Sequence, residues 1–308
     1  MGDPTALSRR DFALLLFICV VWALNFLMSA LGLREIPPFT FTLLRFIVLL
    51  LVLVWFMRVP PRDQWRRLLV VSLLVGVVHF GLSFLALRLS GDLSSPAIVM
   101  QSYIPMTTLL AWWWLGERFK WWTGLAIAIS FLGVMVIGFD PHVLSRPVAL
   151  VTMLLSALAL AIGTILMKGL RGIDMPNQQG WMAAASILPL LGISLWLEPG
   201  ALAALPGVSP TAWSGVLYAA LASSLLGHGL YYSLVQRYPV ALMMPWLLLV
   251  PVLAVALGVV FWGDRPGPRV WIGGAMVLGG VLIIALRQRF KTRTRQPVVE
   301  AIGERPPG

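Results

Sequence analysis

The sequence predicts an all-α integral membrane protein, with ten transmembrane helices that form two five-helix repeats of inverted topology. Three observations predict this fold class: the composition, ten apolar segments of spanning length, and a likeness between the two halves. Of 308 residues, 59% are hydrophobic and 11% are charged, and the mean hydropathy is +0.89. A soluble domain carries about 25% charged residues, so we expect this chain to lie in a lipid bilayer.

Ten apolar segments follow one another with short connections rich in proline and glycine. In hydrocarbon, a single segment must satisfy its own backbone groups, so each continuous apolar run predicts a helix. At about 20 residues per helix the ten spans take roughly 200 residues, which leaves no room for an ATPase or nucleotide-binding domain. The predicted spans are Phe12–Leu33, Phe39–Met57, Leu68–Leu87, Ala97–Leu115, Trp122–Phe139, Val148–Met167, Gly180–Leu197, Trp213–Leu234, Val240–Trp262 and Val270–Leu286.

The distribution of basic residues predicts the orientation, because Lys and Arg are retained on the cytoplasmic side. One set of alternate connections, which includes both termini, holds 17 of the 23 basic residues; the other holds 5, and Arg45 lies within a span. Both termini are therefore predicted to be cytoplasmic in a multi-pass protein of the inner membrane. The net charge of +11 reflects this topology, and no nucleic-acid partner is predicted.

The two halves align in the same order across five spans each. Gly116-Glu117-Arg118 aligns with Gly263-Asp264-Arg265, and the same offset brings Gly133-Val134 onto Gly280-Val281. Because five is odd, the second copy enters the membrane from the opposite side, an arrangement typical of secondary transporters. The predicted organisation is a cytoplasmic segment at 1–10, a first repeat at 11–140, a second repeat at 141–287 and a basic cytoplasmic tail at 288–308.

Each half has a proline-bearing fourth helix that ends in Gly-Glu-Arg or Gly-Asp-Arg, and a fifth helix with a Gly-Val pair near its end. From about Arg10 to Leu286, these features resemble the drug/metabolite transporter superfamily, EamA type. The stretch from Ser94 through Glu117 is similar to the aromatic amino-acid exporter branch. Asp264 stands where Glu is usual in the family, and it keeps the charge of the motif. The resemblance implies ten helices around a cavity that opens alternately to each side.

Prolines inside the spans predict interrupted helices, because each proline removes a helix hydrogen bond and clashes with the preceding turn. Pro105 lies midway in the fourth span, and Pro245 and Pro251 lie in the ninth, its counterpart. Transporter binding sites form where such helices break near the midplane. We therefore predict hinge roles for these three prolines. The alternative is that they reflect only the frequency of proline in membrane helices.

Polar and aromatic residues at helical spacing predict which faces line the cavity, since a polar side chain that faces lipid is unfavourable. The predicted substrate-binding residues are Trp22, Asn25, His79, Ser83, Gln101, Tyr103, Ser224, His228, Tyr231 and Trp246. For the serines the alternative role is an interhelical hydrogen bond, and for the deeper aromatic residues it is contact with lipid.

Histidine within a span indicates function, because ionisable residues are rare there. His79 and His228 lie at nearly equivalent positions of the two halves; each either contacts substrate or titrates, or is a structural histidine bonded to a helix carbonyl. Every acidic residue lies at or beyond a span end, which disfavours an antiporter that extrudes cations. Arg45 either faces the cavity or pairs with a carbonyl, and we predict an interior structural role for it. No cluster has metal-ligand spacing, so neither a metal nor a cofactor is predicted.

An aromatic cavity with amide and hydroxyl groups and no fixed acid suits a neutral or zwitterionic solute with a flat apolar part. The predicted function is therefore a secondary transporter that exports small metabolites, aromatic amino acids above all, by alternating access. Its partners are this small-molecule substrate and the lipid bilayer, and one chain with both repeats suffices as a monomer. The alternatives are a multidrug or other metabolite carrier, a channel, and, in another class, an intramembrane enzyme acting on a lipid-linked substrate.

Overall fold

The computed structural model describes residues 7–238 and 240–303 of the chain, and the regular structure of these residues is helical throughout. The helices of the first half are α1 (Arg9–Leu33), α2 (Pro38–Phe56, ending in a 3₁₀ turn), α3 (Arg62–Ser90), α4 (94–115, made of Ser94–Met100 and Tyr103–Leu115) and α5 (Trp121–Gly138).

The helices of the second half follow in the same order. They are α6 (Pro147–Met167), α7 (Met175–Leu197), α8 (210–235), α9 (240–262) and α10 (Pro268–Gly303), with short helices at Pro141–Leu144 and Ala201–Ala204 in the connections. Among the described residues, eight helices are long and apolar enough to cross a membrane. The other two predicted spans fall in α4 and α8, and the count of ten spans stays a prediction.

Large apolar side chains cover the outer surface of this helical protein. Trp55, Trp196 and Leu188 are 86%, 80% and 76% exposed. A soluble monomer rarely exposes contiguous apolar surface on this scale, whereas hydrocarbon is the solvent that such side chains prefer. The protein is an integral membrane protein.

Two helices are interrupted next to a proline. In α4 the helix breaks at Gln101 and Ser102. Pro105 has no amide to donate, and the carbonyl of Gln101 accepts from the amide of Ile104 at 3.1 Å instead. In α9 it breaks at Leu248, between the segments Val240–Leu247 and Leu249–Leu257, one residue beyond Leu247, whose carbonyl has no amide to accept from at Pro251. The interruptions therefore occur at matching places in the two halves.

Wider π-helical turns occur in α3, over Leu73–His79, and in α8, over Tyr218–Gly227. A π turn inserts an extra residue and is frequent at functional sites. One of these segments ends at His79, and the other ends directly before His228. The same local distortion thus precedes both intramembrane histidines.

Several helix contacts recur when each helix is exchanged with the one five positions later. Helix α3 packs on α6 as α8 packs on α1, and α4 packs on α6 as α9 packs on α1, while α2 packs on α7 and α5 on α10. The α5–α10 contact is close because Gly133 and Gly273 bring their backbones together, as small residues do between membrane helices.

Candidate functional site

A cavity of about 1660 Å³ lies between the two halves and takes lining residues from eight helices, α1 to α4 and α6 to α9. Ligand pockets commonly measure about 300–1,000 Å³, so this cavity is large enough to admit an amino acid together with water. We call its inner wall the part formed by Trp22, Arg45, His79, Phe80, Tyr103, His228 and Tyr231.

Arg45 is the fixed charge of the inner wall, and its side chain is only 1% exposed. Its Nε and Nη2 atoms donate to the Ser224 Oγ at 3.1 and 2.7 Å, while that hydroxyl donates to the carbonyl of Ala219. The guanidinium carbon lies 3.7 Å from the centre of the Phe80 ring, a cation–π distance. The Nη1 atom is buried and has no hydrogen-bond partner among the described residues.

His79 is held by the sixth helix. Its Nδ1 atom lies 2.9 Å from the Ser156 Oγ and 3.2 Å from the Ser156 carbonyl, and the same hydroxyl donates to the carbonyl of His79. Because the hydroxyl proton is used in that bond, Nδ1 is the donor to Ser156. A neutral imidazole held in this way keeps Nε2 as a hydrogen-bond acceptor.

His228 repeats this arrangement in the second half. Its Nδ1 atom lies 2.9 Å from the carbonyl of Ser223, so Nδ1 again donates and the neutral ring again offers Nε2 as an acceptor. Trp22 donates from Nε1 to the same carbonyl at 3.3 Å. The Trp22 ring also contacts His228 and Tyr231, with centroids 5.1 and 5.5 Å apart. One side of the inner wall is therefore aromatic.

The structure brings six of the ten predicted binding residues to the cavity: Trp22, Asn25, His79, Tyr103, His228 and Tyr231. The other four lie outside its lining. Ser83 and Gln101 are half-buried, Ser224 lies behind the wall as the acceptor for Arg45, and Trp246 is 39% exposed and packs on Phe12. The proposed hinge prolines lie beside the interruptions described above.

The sequence left two positions open for Arg45, and the structure places this residue in the lining of the cavity, as an ionisable residue inside a span suggests. The sequence analysis missed Phe80, which also lines the cavity. Phe80 follows His79 directly and carries no polar group, so nothing in its residue type indicated the cavity.

The cavity reaches the surface at what we call the open end, formed by Gly116, Glu117, Arg118 and Lys168. Here α4 stops at Gly116, whose φ of +64° is left-handed and favours glycine. The Lys168 Nζ lies 3.1 Å from the Glu117 Oε1, and both side chains are about half exposed, at 50% and 53%.

The opposite side is the closed end, where α9 stops at Gly263 with a φ of +84°. The next residue, Asp264, is buried. Its Oδ2 atom accepts hydrogen bonds from the amides of Leu93 and Ser94, both at 2.9 Å, and from the Ser94 Oγ at 2.6 Å. A residue at the end of α9 thereby caps the start of α4 and ties the two halves together.

Asp92 adds a second carboxylate to the closed end. It accepts from the amide of Ser95 at 2.8 Å and pairs with the His142 Nε2 at 3.0 Å. Burial raises the pKa of the Asp92 carboxyl above its ordinary value, and the neighbouring Asp264 raises it further, against the opposing effects of the Ser95 amide and His142. Within the described part of the chain, no group of His, Cys, Asp or Glu is arranged to hold a metal ion.

A family model described as "EamA-like transporter family" matches residues 11–139 and 147–286. The chain belongs to this family. An EamA-like protein is a membrane transporter, and the large cavity with its one open end is the candidate path for its substrate.

Curated relatives of this EamA-like chain carry transporter names. It is 26% identical to a "Probable amino-acid metabolite efflux pump" of Escherichia coli, over 92% of this chain and 98% of the relative, and 29% identical to a protein of the same name from Salmonella typhimurium, over 94% and 99%. It is 27% identical to a "Probable terminal-alkyne amino-acid exporter" of Streptantibioticus cattleyicolor, over 61% and 62%.

A solved crystal structure shares the fold. It matches with a TM-score of 0.61 over 92% of this chain and 99% of its own, at 19% identity. At that identity the likeness shows the helical architecture and carries no information on the substrate.

Proposed function

We propose that this EamA-like protein is a secondary transporter of the inner membrane that exports small metabolites, aromatic amino acids above all, by alternating access. The observation that carries the proposal is the cavity, which has a polar and aromatic inner wall, an open end at Glu117 and Lys168, and a closed end at Asp264. A channel needs a continuous path, whereas a carrier needs one end shut while the other admits substrate.

The substrate class rests on the inner wall and on the relatives. Trp22, Tyr103 and Tyr231 offer flat apolar surface, and aromatic rings pack well in offset or edge-to-face contact. The histidine acceptors and Arg45 suit a group with both an ammonium and a carboxylate. Two relatives are named as amino-acid metabolite efflux pumps, and a third as an amino-acid exporter.

The export direction rests on the orientation expected from basic residues. Arg118 and Lys168 of the open end belong to the connections that hold most of the Lys and Arg, which are retained in the cytoplasm. The structure then corresponds to a state that loads from the cytoplasm.

Alternating access requires two halves that can exchange their arrangements, which is the property of an inverted repeat. The recurring helix contacts, the matched interruptions in α4 and α9, and the π turns that precede both histidines support such a repeat. The offset that aligns Gly116 with Gly263 also aligns Leu93 and Ser94 with Val240 and Ala241, where α9 begins. In the outward-open state, Glu117 would accept hydrogen bonds from the amides of Val240 and Ala241, just as Asp264 accepts hydrogen bonds from the amides of Leu93 and Ser94 in the present state.

Counterflow in proteoliposomes tests the function. Vesicles loaded with unlabelled phenylalanine receive labelled phenylalanine outside, and we expect transient accumulation that excess phenylalanine abolishes, with none in protein-free vesicles. Trp22→Ala should reduce the accumulation, whereas Trp55→Ala, which removes a ring from the lipid-facing surface, should not. Absence of accumulation for phenylalanine, tyrosine and tryptophan with folded protein would remove aromatic amino acids as substrates.

The cavity volume favours one second candidate, a carrier of larger metabolites or drugs in the same superfamily. At about 1660 Å³ the space exceeds what one amino acid fills. Saturable flux of bulky aromatic solutes without amino-acid flux would support this candidate, and a chemically altered product would point to an enzyme.

A further inference from the structure

The inner wall carries a charge that the protein does not balance. Among the described residues that line the cavity, the ionised groups other than Arg45 are Glu117, Arg118 and Lys168, all at the open end. The one acidic residue of that set pairs with Lys168 at 3.1 Å. Arg45 therefore faces the inner cavity without a carboxylate.

The contacts of Arg45 orient its guanidinium but do not neutralise it. Ser224 is an uncharged partner that occupies Nε and Nη2, and Phe80 offers only the face of its ring. A buried charge is costly unless it is both paired and hydrogen-bonded. A purely structural role would leave the buried Nη1 without a partner.

We propose that Arg45 binds the carboxylate of the transported solute. Arginine presents its donors in a planar fork that matches a carboxylate, and charge-assisted hydrogen bonds of this kind are the stronger ones. Nη1 is closed off in the present state, so the cavity side chains shift around the bound solute, a common change on binding. Ser224 and Phe80 are then positioning residues that hold the fork.

The histidines complete a site for an amino acid. With Nδ1 held by Ser156 in one case and by Ser223 in the other, each neutral ring offers Nε2 as an acceptor. The ammonium group of an amino acid can donate hydrogen bonds to these two acceptors, while its carboxylate binds Arg45. This assignment rests on the proposed function and narrows its substrate class to solutes that bear a carboxylate.

The test measures ligand-induced thermal stabilisation of the purified protein with three probes that share one ring: phenylalanine, phenylalaninamide and 3-phenylpropionate. Stabilisation at a series of concentrations gives an apparent affinity, because a ligand that binds only the folded state raises its stability. The variants are Arg45→Met, Arg45→Lys and, as a matched control, Arg171→Met, which removes an exposed cation outside the cavity.

We expect wild type and Arg171→Met to bind phenylalanine about 10-fold or more tightly than phenylalaninamide, since a charged hydrogen bond is lost in the amide. Arg45→Met should bind the two alike, and Arg45→Lys should recover part of the preference. A structural role predicts instead that Arg45→Met weakens both probes equally. That outcome, or a wild type that binds phenylalanine and phenylalaninamide with equal affinity, would overturn the proposal.

The readout separates this proposal from the export function. If 3-phenylpropionate binds in an Arg45-dependent manner while no amino acid shows counterflow, the carboxylate site stands and amino-acid export fails. If phenylalanine shows counterflow and Arg45→Met leaves its preference over the amide intact, export stands and the carboxylate site fails. If Arg45→Met does not fold, the test rests on the preference of Arg45→Lys for phenylalanine over phenylalaninamide. A preference that is intermediate between that of wild type and none supports the proposed arginine fork. A preference equal to that of wild type, or no preference, overturns it.

Discussion

The closed and open ends of the cavity carry the same short motif in different surroundings. Asp264, after Gly263, is buried and accepts three hydrogen bonds from the start of α4. Glu117, after Gly116, is half exposed and pairs with Lys168. Both glycines end their helices with a left-handed backbone, so the local chain path is alike and the partners differ. Equivalent sequences in this protein can therefore hold different contacts at the same time, as a carrier that is open at one end requires.

The largest expected effect comes from Asp264→Ala at the closed end. The amides of Leu93 and Ser94 and the Ser94 hydroxyl lose their acceptor, at a cost of about 1–3 kcal/mol for each buried group left unpaired. We expect the closed end to open and counterflow to fall at least about 10-fold, the factor that roughly 1.4 kcal/mol produces.

Cysteine labelling checks this opening. Cys19→Ala removes the one cysteine of the sequence. In this background, Val99→Cys places a thiol at a buried position of α4, five residues after Ser94, which donates to Asp264. An impermeant maleimide added outside should label it only in Asp264→Ala. Equal labelling with and without the aspartate would show that the cap does not close this end.

The next effect is expected from Glu117→Ala at the open end. If Glu117 takes the place of Asp264 in the outward-open state, its loss slows the return step. Counterflow should fall several-fold while the thermal stability changes little, because an exposed ion pair contributes about 0–1 kcal/mol. Lys168→Ala is the control, since it breaks the same ion pair without removing the acceptor. Equal loss of flux in both variants would assign the effect to the ion pair.

Substitution of the prolines in the two interrupted helices, α4 and α9, is expected to have a smaller effect on transport. Pro105→Ala and Pro251→Ala restore an amide that can bond the carbonyl four residues earlier and straighten the helix. We expect transport rates to change about 2- to 5-fold with normal expression, as for a shift of roughly 0.4–1 kcal/mol in the conformational barrier. Unchanged rates in both variants would count against the hinge roles.

The smallest effect is expected from Asp92→Asn. Because the pKa of Asp92 is raised in the folded state, ionisation of this carboxyl works against folding. The stability that the neutral carboxyl contributes is complete below the ordinary pKa of 3.8 and is lost as the pH rises through the raised value. At pH 7 the neutral amide should therefore raise the melting temperature slightly and make it less dependent on pH above the ordinary pKa of 3.8. A lower melting temperature for the variant would show that the contacts of the Asp92 carboxylate with His142 and Ser95 outweigh the burial cost.

Sequence patterns predicted the helices well because hydrocarbon enforces them. Each predicted span lies almost entirely within a helical stretch, to within a residue or two at its ends, and the proline positions predicted the interruptions in α4 and α9. The composition leaves the chain no other way to satisfy its backbone. The same rule explains why His79 and His228 were found: a polar group in a span must face the protein interior.

The patterns could not predict which interior contact each residue makes. Ser224 belongs to the same helix face as His228, yet its hydroxyl faces Arg45. Trp246 lies beside Pro245 in an interrupted helix, yet its ring packs on Phe12 away from the cavity. Periodicity assigns a face of one helix, whereas the contact depends on how the neighbouring helices cover that face. Which end of the cavity is closed likewise depends on how all the helices pack together.

In the proposed inverted repeat, the contacts of α5 with α10 and of α2 with α7 each join a helix to its own counterpart. In a protein of half this length, the same contacts would join two identical copies inserted in opposite directions. Fusion of the two copies would turn such a dimer interface into an intramolecular one, after which each half is free to change alone. The aspartate of one half and the glutamate of the other are the kind of divergence that such a fusion permits.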